Sequence, residues 1–368
     1  MSLKLLHTGD VHIGAKFLRL GEKAATQRER IRQAFARTID EAIERKVHVV
    51  LIAGDLFDNV HPSESSILFV KKELRRLEKV GIWTIIIPGT HDRLESGSVF
   101  QTTDFSGSKI HIFNKTGAAD FVVDEIDATF YANTNVSNKS TKSPLTRLEK
   151  SSNTRYHIAL AHGSYQIPSK SSTDDYPIID DDISNTKMNY IALAHWHKAA
   201  EYSVGNVVTW YCGSPELVAM DQSDSGSVLY VELEDSEVKV EKVSVGQTNL
   251  QNLKIDLSNI KTYEELESCI SKEADMSLIL RIALTGIRDK SLSFDVNQLQ
   301  DLMQEQFYFL EIKDDSILDI SSMEASEYPD NFVLGQFIKR VQESDLTDEE
   351  KSNVLRYGIP LLQGKKIL

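Results

Sequence analysis

At 368 residues and 41% hydrophobic, with no apolar run long enough to span a bilayer, the chain reads as a globular protein of about two domains. A formal net charge of −14 argues against a generic nucleic-acid coat. The charge is unevenly divided: residues 1–155 hold 23 Lys+Arg against 19 Asp+Glu, a net of +4, and residues 246–368 hold 13 against 22. A phosphate-binding surface is therefore expected on the first half, helped by bound cations. The first residues lack both the basic region and the long apolar core of a signal peptide. Cys212 and Cys269 suggest neither a CxxC site nor a disulfide framework, so a cytoplasmic location is the expectation.

In chain order, the strand-like Leu3–His7 leads to Asp10-Val11-His12. A long helix follows from about Thr26 to Arg45, with Ile31, Phe35, Ile39 and Ile43 recurring every four residues. Val49–Ile52 then leads to Gly54-Asp55-Leu56-Phe57-Asp58. A Pro62-started helix runs through Lys79, and Ile82–Ile87 ends in Pro88-Gly89-Thr90-His91-Asp92. This β-α-β-α-β opening predicts a parallel sheet with helices packed on it. Residues 107–131 read as short strands; 135–155 and 164–187 read as long polar loops, functional or mobile. Two further runs, His157–Leu160 and Tyr190–Leu193, lead to His162 and to His195-Trp196-His197. Hairpins are expected over 207–243 and a linker over 244–252. A second βαβαβ-like unit over 253–312 contains no His and no ligand cluster. In the tail, Val333, Leu334, Phe337, Ile338 and Val341 form one apolar stripe, and Thr347 with Glu350 forms a capping box.

Five strand-like runs thus end in His or Asp, so their polar groups can converge at one sheet edge. In Asp10-x-His12 and His195-x-His197 the members are two apart, which on extended backbone points them the same way. Imidazole and carboxylate together suit Mn, Fe or Zn. Asp55 can bridge two ions through its two oxygens, as in the two-metal sites of phosphatases and nucleases. His91 is placed to protonate a leaving oxygen, with Asp92 orienting its ring. Each motif alone is weak, since an Asp after a strand commonly serves a turn and Gly54 and Gly89 can equally be read as simple turn residues. The strength lies in the ordered set. His7, His48, His61 and His157 lack such partners and read as ordinary strand or loop residues.

The residues resemble the calcineurin-like metallophosphoesterase superfamily and, within it, SbcD-type DNA double-strand-break repair nucleases. The resemblance rests on Thr8–Gly14, Ala53–Asp58, Pro88–Asp92, Ala161-His162-Gly163, Ala194–His197 and Gly213-Ser214-Pro215-Glu216. It implies an α/β fold, a β-sandwich flanked by helices in four layers (α-β-β-α), over residues 1–245. It also implies a small α/β capping domain over 253–320 that helps recognise DNA. A helical tail over 331–368 would bind an SMC-like (SbcC-type) ATPase. One metal would take Asp10, His12, Asp55 and His197; the other would take Asp55, His162 and His195. Two divalent ions are implied, Mn2+ foremost with Fe or Zn as alternatives, and family members pair as homodimers through the Pro62–Lys79 region.

Three positions depart from the family pattern. Thr90 stands where most members have Asn, Ala194 where Gly usually precedes the HxH, and Asp58 where some relatives place His. The Thr hydroxyl, shorter than an Asn amide, is expected to leave the second metal more weakly held. The reading is a metal-dependent DNA nuclease, an exonuclease acting in repair. The alternatives are a small-molecule phosphodiesterase or phosphatase, which suits the acidic 164–187 loop, and a weakly active scaffold for the ATPase.

Overall fold

The computed structural model describes residues 2–168, 171–220, 226–235, 237–319 and 333–364. The chain divides into two units, Met1–Asn249 and Leu250–Leu368. Ile320, at the end of the expected capping domain, and residues 331–332 and 365–368 of the expected tail lie outside the described residues.

In the first unit, β1 (Leu3–Thr8), β2 (Val49–Ala53), β3 (Trp83–Ile87) and β4 (Ile110–Ile112) are parallel neighbours. Helices α1 (Ala24–Glu44) and α2 (Glu64–Lys79) connect the first three, and a short α3 (Val99–Thr102) precedes β4. The second helix begins two residues after Pro62, because Ser63 caps it by accepting the Ser66 N–H at 3.3 Å. A second sheet uses β5 (Ala118–Val123), β6 (Ala128–Asn133), β7 (Tyr156–His162), β10 (Tyr190–Ala194), β11 (Ala199–Glu201) and β12 (Val208–Cys212). Its order is β11-β12-β10-β7-β6-β5, with β12, β10, β7 and β6 parallel. Between β7 and β10 lie the short parallel pair β8 (Ser164–Tyr165) and β9 (Pro177–Ile178) and the helix α4 (Asp180–Thr186), so 164–187 is more structured than a loop. The hairpin β13 (Ser227–Leu233) and β14 (Val238–Ser244) returns to the first sheet, giving β14-β13-β1-β2-β3-β4. β12 therefore belongs to the other sheet from the hairpin that follows it.

Alternation along the strands makes the layers. Leu5, Val49, Leu51 and Ile85 face Phe130, Ile158, Leu160 and Ala192 between the sheets. Leu6, Val50, Ile52 and Ile86 face the other way, onto Ile31, Phe35 and Ile39 of α1 and Val70, Leu74 and Leu77 of α2. The outer face of the second sheet is covered by Leu145, Leu148, Ile178 and Ile183, from the polar segments and α4. On α2, Val70, Leu74 and Leu77 thus lie in the unit's own core with Ile67 packed against it, while Leu68 is 59% exposed.

The expected linker is partly strand. Buried Glu216 accepts the N–H groups of Leu217, Gln247 and Thr248, and β15 (Asn249–Asp256) begins directly after them. The second unit continues with α5 (Tyr263–Ser271), β16 (Asp275–Thr285), β17 (Ile287–Arg288), α6 (Val296–Met303), β18 (Phe307–Asp314) and β19 (Ile317–Leu318). Its sheet, β15-β16-β18, packs on α5 and α6 through Leu266, Ile270, Leu280 and Leu299. In the tail, α7 (Val333–Gln342) pairs with α8 (Asp348–Leu362). Ile338 and Val341 are buried against Leu355 and Ile359, with Leu334 and Phe337 packed beside them. The apolar stripe expected of the tail is thus largely covered by the tail's own second helix. Arg356 also donates to the Ile287 carbonyl of the same unit at 3.0 Å. No helix among the described residues is long and apolar enough to cross a membrane.

Candidate metal centre

The carboxyl ends of β1, β2 and β3 in one sheet and of β7 and β10 in the other open onto one polar edge, the usual position for sites in parallel sheets. Ala53 pairs with Ile87, and Ala194 with His162, so the residues that follow each strand emerge side by side. The first sheet delivers Asp10, His12, Asp55 and His91; the second delivers His162, His195 and His197. Bonds stitch the two sheets together here. His162 Nδ1 lies 3.0 Å from the Ala53 carbonyl, and the Asp10 carboxylate accepts the His195 N–H at 2.8 Å.

Extended backbone does not aim these groups, contrary to the expectation for the two spaced pairs. Asp10, His12, Asp55 and His195 have φ of 47°, 53°, 50° and 107°, the left-handed region that disfavours residues with a Cβ. Interlocking turns hold them: Asp10 N–H donates to Gly54 O, and both Val11 and His12 N–H donate to Asp55 O. Glycine is required where these turns cross. A Cβ on Gly54 would lie 2.4 Å from His162 Nδ1, and one on Gly89 would lie 2.2 Å from Asp55 Oδ1.

The donors fall into three groups, two of which share His12, each within 4.8 Å: Asp10, His12 and His197; Asp55, His162 and His195; and His12, Asp58 and His91. Asp55 connects them. Its Oδ1 accepts the His91 N–H at 2.8 Å, and its Oδ2 is 3.2 Å from His162 Nε2 and 3.8 Å from His12 Nε2. Thr90 Oγ1 reaches the second group, 3.4 Å from both Asp55 Oδ2 and His162 Nε2.

The imidazole partners test whether this set suits a cation. His162 Nδ1 is engaged by a carbonyl and His195 Nε2 by the Asp175 carboxylate at 2.8 Å, neither of which can donate a proton. In their neutral forms the rings would therefore turn lone pairs toward each other, His195 Nδ1 to His162 Nε2 at 3.3 Å, beside the Asp55 carboxylate. His12 Nδ1 is held by Asp58 Oδ1 at 3.2 Å, and its buried Nε2 has no hydrogen-bond partner. Ring nitrogens crowded around shared carboxylates are the chemistry of a cation site. Without a cation, the surrounding carboxylates draw a proton onto one ring instead. Burial acts to lower the His162 pKa, yet the Asp55 and Asp10 charges and its hydrogen bonds outweigh it and raise it to about 9. Burial acts to raise Asp55, but His162, His12 and His91 hold its carboxyl far below the usual range. His197, mainly through burial, is lowered to about 4 and is neutral at pH 7.

His91 stands at the mouth, its side chain 51% exposed, with its ring 4.7 Å from that of His12. Asp92 does not orient it. The Asp92 carboxylate is buried and accepts the N–H groups of Phe57 at 3.0 Å and Gly89 at 2.7 Å, tying the turn after β2 to the turn after β3. Burial, with the Asp55 charge nearby, pushes Asp92 up to about 7. The His91 ring is held instead by Asp58, whose carbonyl lies 3.1 Å from His91 Nδ1.

Sequence reasoning missed two further groups. Asn135, fully buried, donates to the His162 carbonyl at 3.0 Å. Asp175, from a stretch read as acidic loop, bonds His195.

A family model described as calcineurin-like phosphoesterase matches residues 3–199. Among curated relatives, the metallophosphoesterase YhaO of Bacillus subtilis (strain 168) is 24% identical over 77% of this chain and 72% of its own length. The DNA double-strand break repair protein Mre11 of Thermoplasma acidophilum is 25% identical over 68% of this chain and 65% of its own. The protein of the same name from Methanococcus maripaludis is 24% identical over 93% of this chain and 96% of its own.

Proposed function

The chain belongs to the calcineurin-like phosphoesterase family, and from that premise we propose that it is a DNA nuclease, an exonuclease acting in DNA repair. The observation that carries the reading is the pair of His/Asp groups joined across Asp55. Asp10, His12, Asp55 and His197 would hold one divalent cation; Asp55, His162 and His195 would hold the other. Mn2+ suits such mixed donors, as do Fe and Zn. Bound cations of this kind polarise a phosphoryl oxygen and make hydroxide available near neutral pH. The protein's own groups do the rest. Asp55 keeps the two donor sets in register. His91, its Nδ1 engaged by Asp58, has Nε2 left to protonate the leaving oxygen at the exposed mouth.

Support for DNA as substrate comes from relatives named for DNA double-strand break repair, one of them aligned over nearly the whole chain, second unit included. On this reading the second unit caps the DNA and the tail takes an SMC-like ATPase. A second copy pairs through the exposed side of α2, and the cytoplasm is the location. One observation favours a small-molecule phosphodiesterase instead: Asp175 brings negative charge beside His195, which disfavours a polyanion.

The test is Mn2+-dependent digestion of end-labelled linear duplex DNA, with His91→Ala as control and a small phosphodiester as competitor. Release of end-labelled nucleotides by the wild type and not by the variant supports the nuclease. Turnover of the small diester with DNA untouched would overturn it.

A further inference from the structure

Asp175 reaches the centre from a distance. Its Oδ2 lies 2.8 Å from His195 Nε2, and both side chains are largely shielded, 31% and 20% exposed. Its backbone is clamped between the segments that follow β6 and β7. Ser140 N–H donates to Asp174 O at 2.8 Å, and Tyr176 N–H donates to Ser140 O at 2.9 Å. Ser164 N–H donates to both Asp175 O and Tyr176 O. The buried Tyr176 phenol donates to Ser137 O and accepts from Ser137 N–H. The two polar segments thus close on each other and hold one carboxylate against one imidazole.

A neutral imidazole carries one ring proton, and a carboxylate can only accept it. The contact therefore places the proton on Nε2 and leaves Nδ1 as the lone pair facing His162 and Asp55. His162 and His12 are set by groups at strand ends, the Ala53 carbonyl and Asp58; His195 depends on a carboxylate delivered by a fold between two remote segments. A carboxylate partner also makes the ring a stronger donor than a carbonyl partner does.

We propose that Asp175 is a positioning residue that locks His195 with its proton on Nε2 and so sets the affinity of the Asp55–His162–His195 cation site, leaving the Asp10–His12–His197 site unaffected. The inference rests on the two-cation reading above. Its test uses the full metal-free chain as wild type, Asp175→Ala and Asp175→Asn, with Mn2+ titrated calorimetrically and the histidine rings followed by nitrogen NMR before any metal is added. In the wild type His195 shows a protonated Nε2 and a bare Nδ1; in Asp175→Ala the two forms mix. Asp175→Ala weakens one of the two Mn2+ sites about 10- to 100-fold and leaves the other unchanged. Asp175→Asn, whose amide oxygen still accepts from Nε2, recovers most of both readouts. Unchanged affinities in Asp175→Ala, or equal weakening of both sites, overturn the proposal. Wild type binding fewer than two ions overturns the two-cation reading instead, and the ring-proton position then judges Asp175 alone. An Asp175→Ala chain that fails to fold while Asp175→Asn behaves as wild type shows a structural clamp and also overturns it.

Discussion

The two units obey different rules. Among the described residues, every non-glycine at positive φ lies in the first unit, and in the second only Gly286 and Gly364 have such backbone. Buried polar and charged residues among those described follow the same division: they include Asp10, His12, Asp55, Asp92 and His162 in the first unit and none in the second. The second unit is locally consistent. Thr262 and Asp295 cap its helices by accepting the N–H groups of Glu265 and Gln298, and its core is Leu, Ile, Met and Phe. Left-handed residues and buried carboxylates each cost on the order of 1–3 kcal/mol. Where Asp10, His12, Asp55 and His195 of the first kind meet Asp10, Asp55 and Asp92 of the second at one sheet edge, folding has been compromised for chemistry.

Substitutions sharpen this contrast. Asp55→Ala removes the group common to both donor sets, so both ions and all turnover are expected to vanish together; elemental analysis that still found two ions would refute the shared role. His91→Ala should lower turnover about 10²- to 10⁴-fold, the range for a lost general acid, with ion content unchanged. Leu280→Ala, fully buried in the second unit, should destabilise that unit by about 2–5 kcal/mol in denaturant while ion binding stays at the wild-type level. Impaired Mn2+ binding in that variant would break the division between the units. Thr90→Asn should have the mildest effect. Its longer side chain carries a carbonyl oxygen toward the point 3.4 Å from Asp55 and His162 that the hydroxyl now occupies, lowering by a few-fold the Mn2+ needed for half-maximal rate. Two equally tight sites in the wild type would contradict it.

Much of this centre could be read from the chain because strand ends are local. Asp10, His12, Asp55, His91, His162, His195 and His197 each follow an apolar run by a few residues, and parallel pairing brings such ends together whatever the side chains. The second unit was equally readable, its apolar periods matching β15, α5, β16, α6 and β18 to within a few residues. Partner relations were not. Asp92 sits next to His91 in sequence, yet its carboxylate turns inward to Phe57 and Gly89, while Asp58, 33 positions away, holds the His91 ring. Asp175 and Asn135 lie in polar stretches without periodicity, and their roles exist only once those stretches fold over the second sheet. The left-handed turns were also hidden, since nothing in Asp-Val-His distinguishes them from extended backbone.

Equal sharing of the donors between the sheets has one more consequence. Asp10, His12 and Asp55 belong to one sheet and His162, His195 and His197 to the other, across a largely apolar core bridged by bonds such as that between His7 Nδ1 and the Tyr190 hydroxyl at 2.9 Å. Any cation gripped from both sides acts as a clasp on the sandwich, and it is released whenever the sheets part. Binding free energy then becomes folding free energy, about 2.7 kcal/mol at a hundredfold excess over the dissociation constant. Supply of the ion would thus govern how long the protein lasts as well as how fast it works, and a chelator would age the molecule before any substrate reached it.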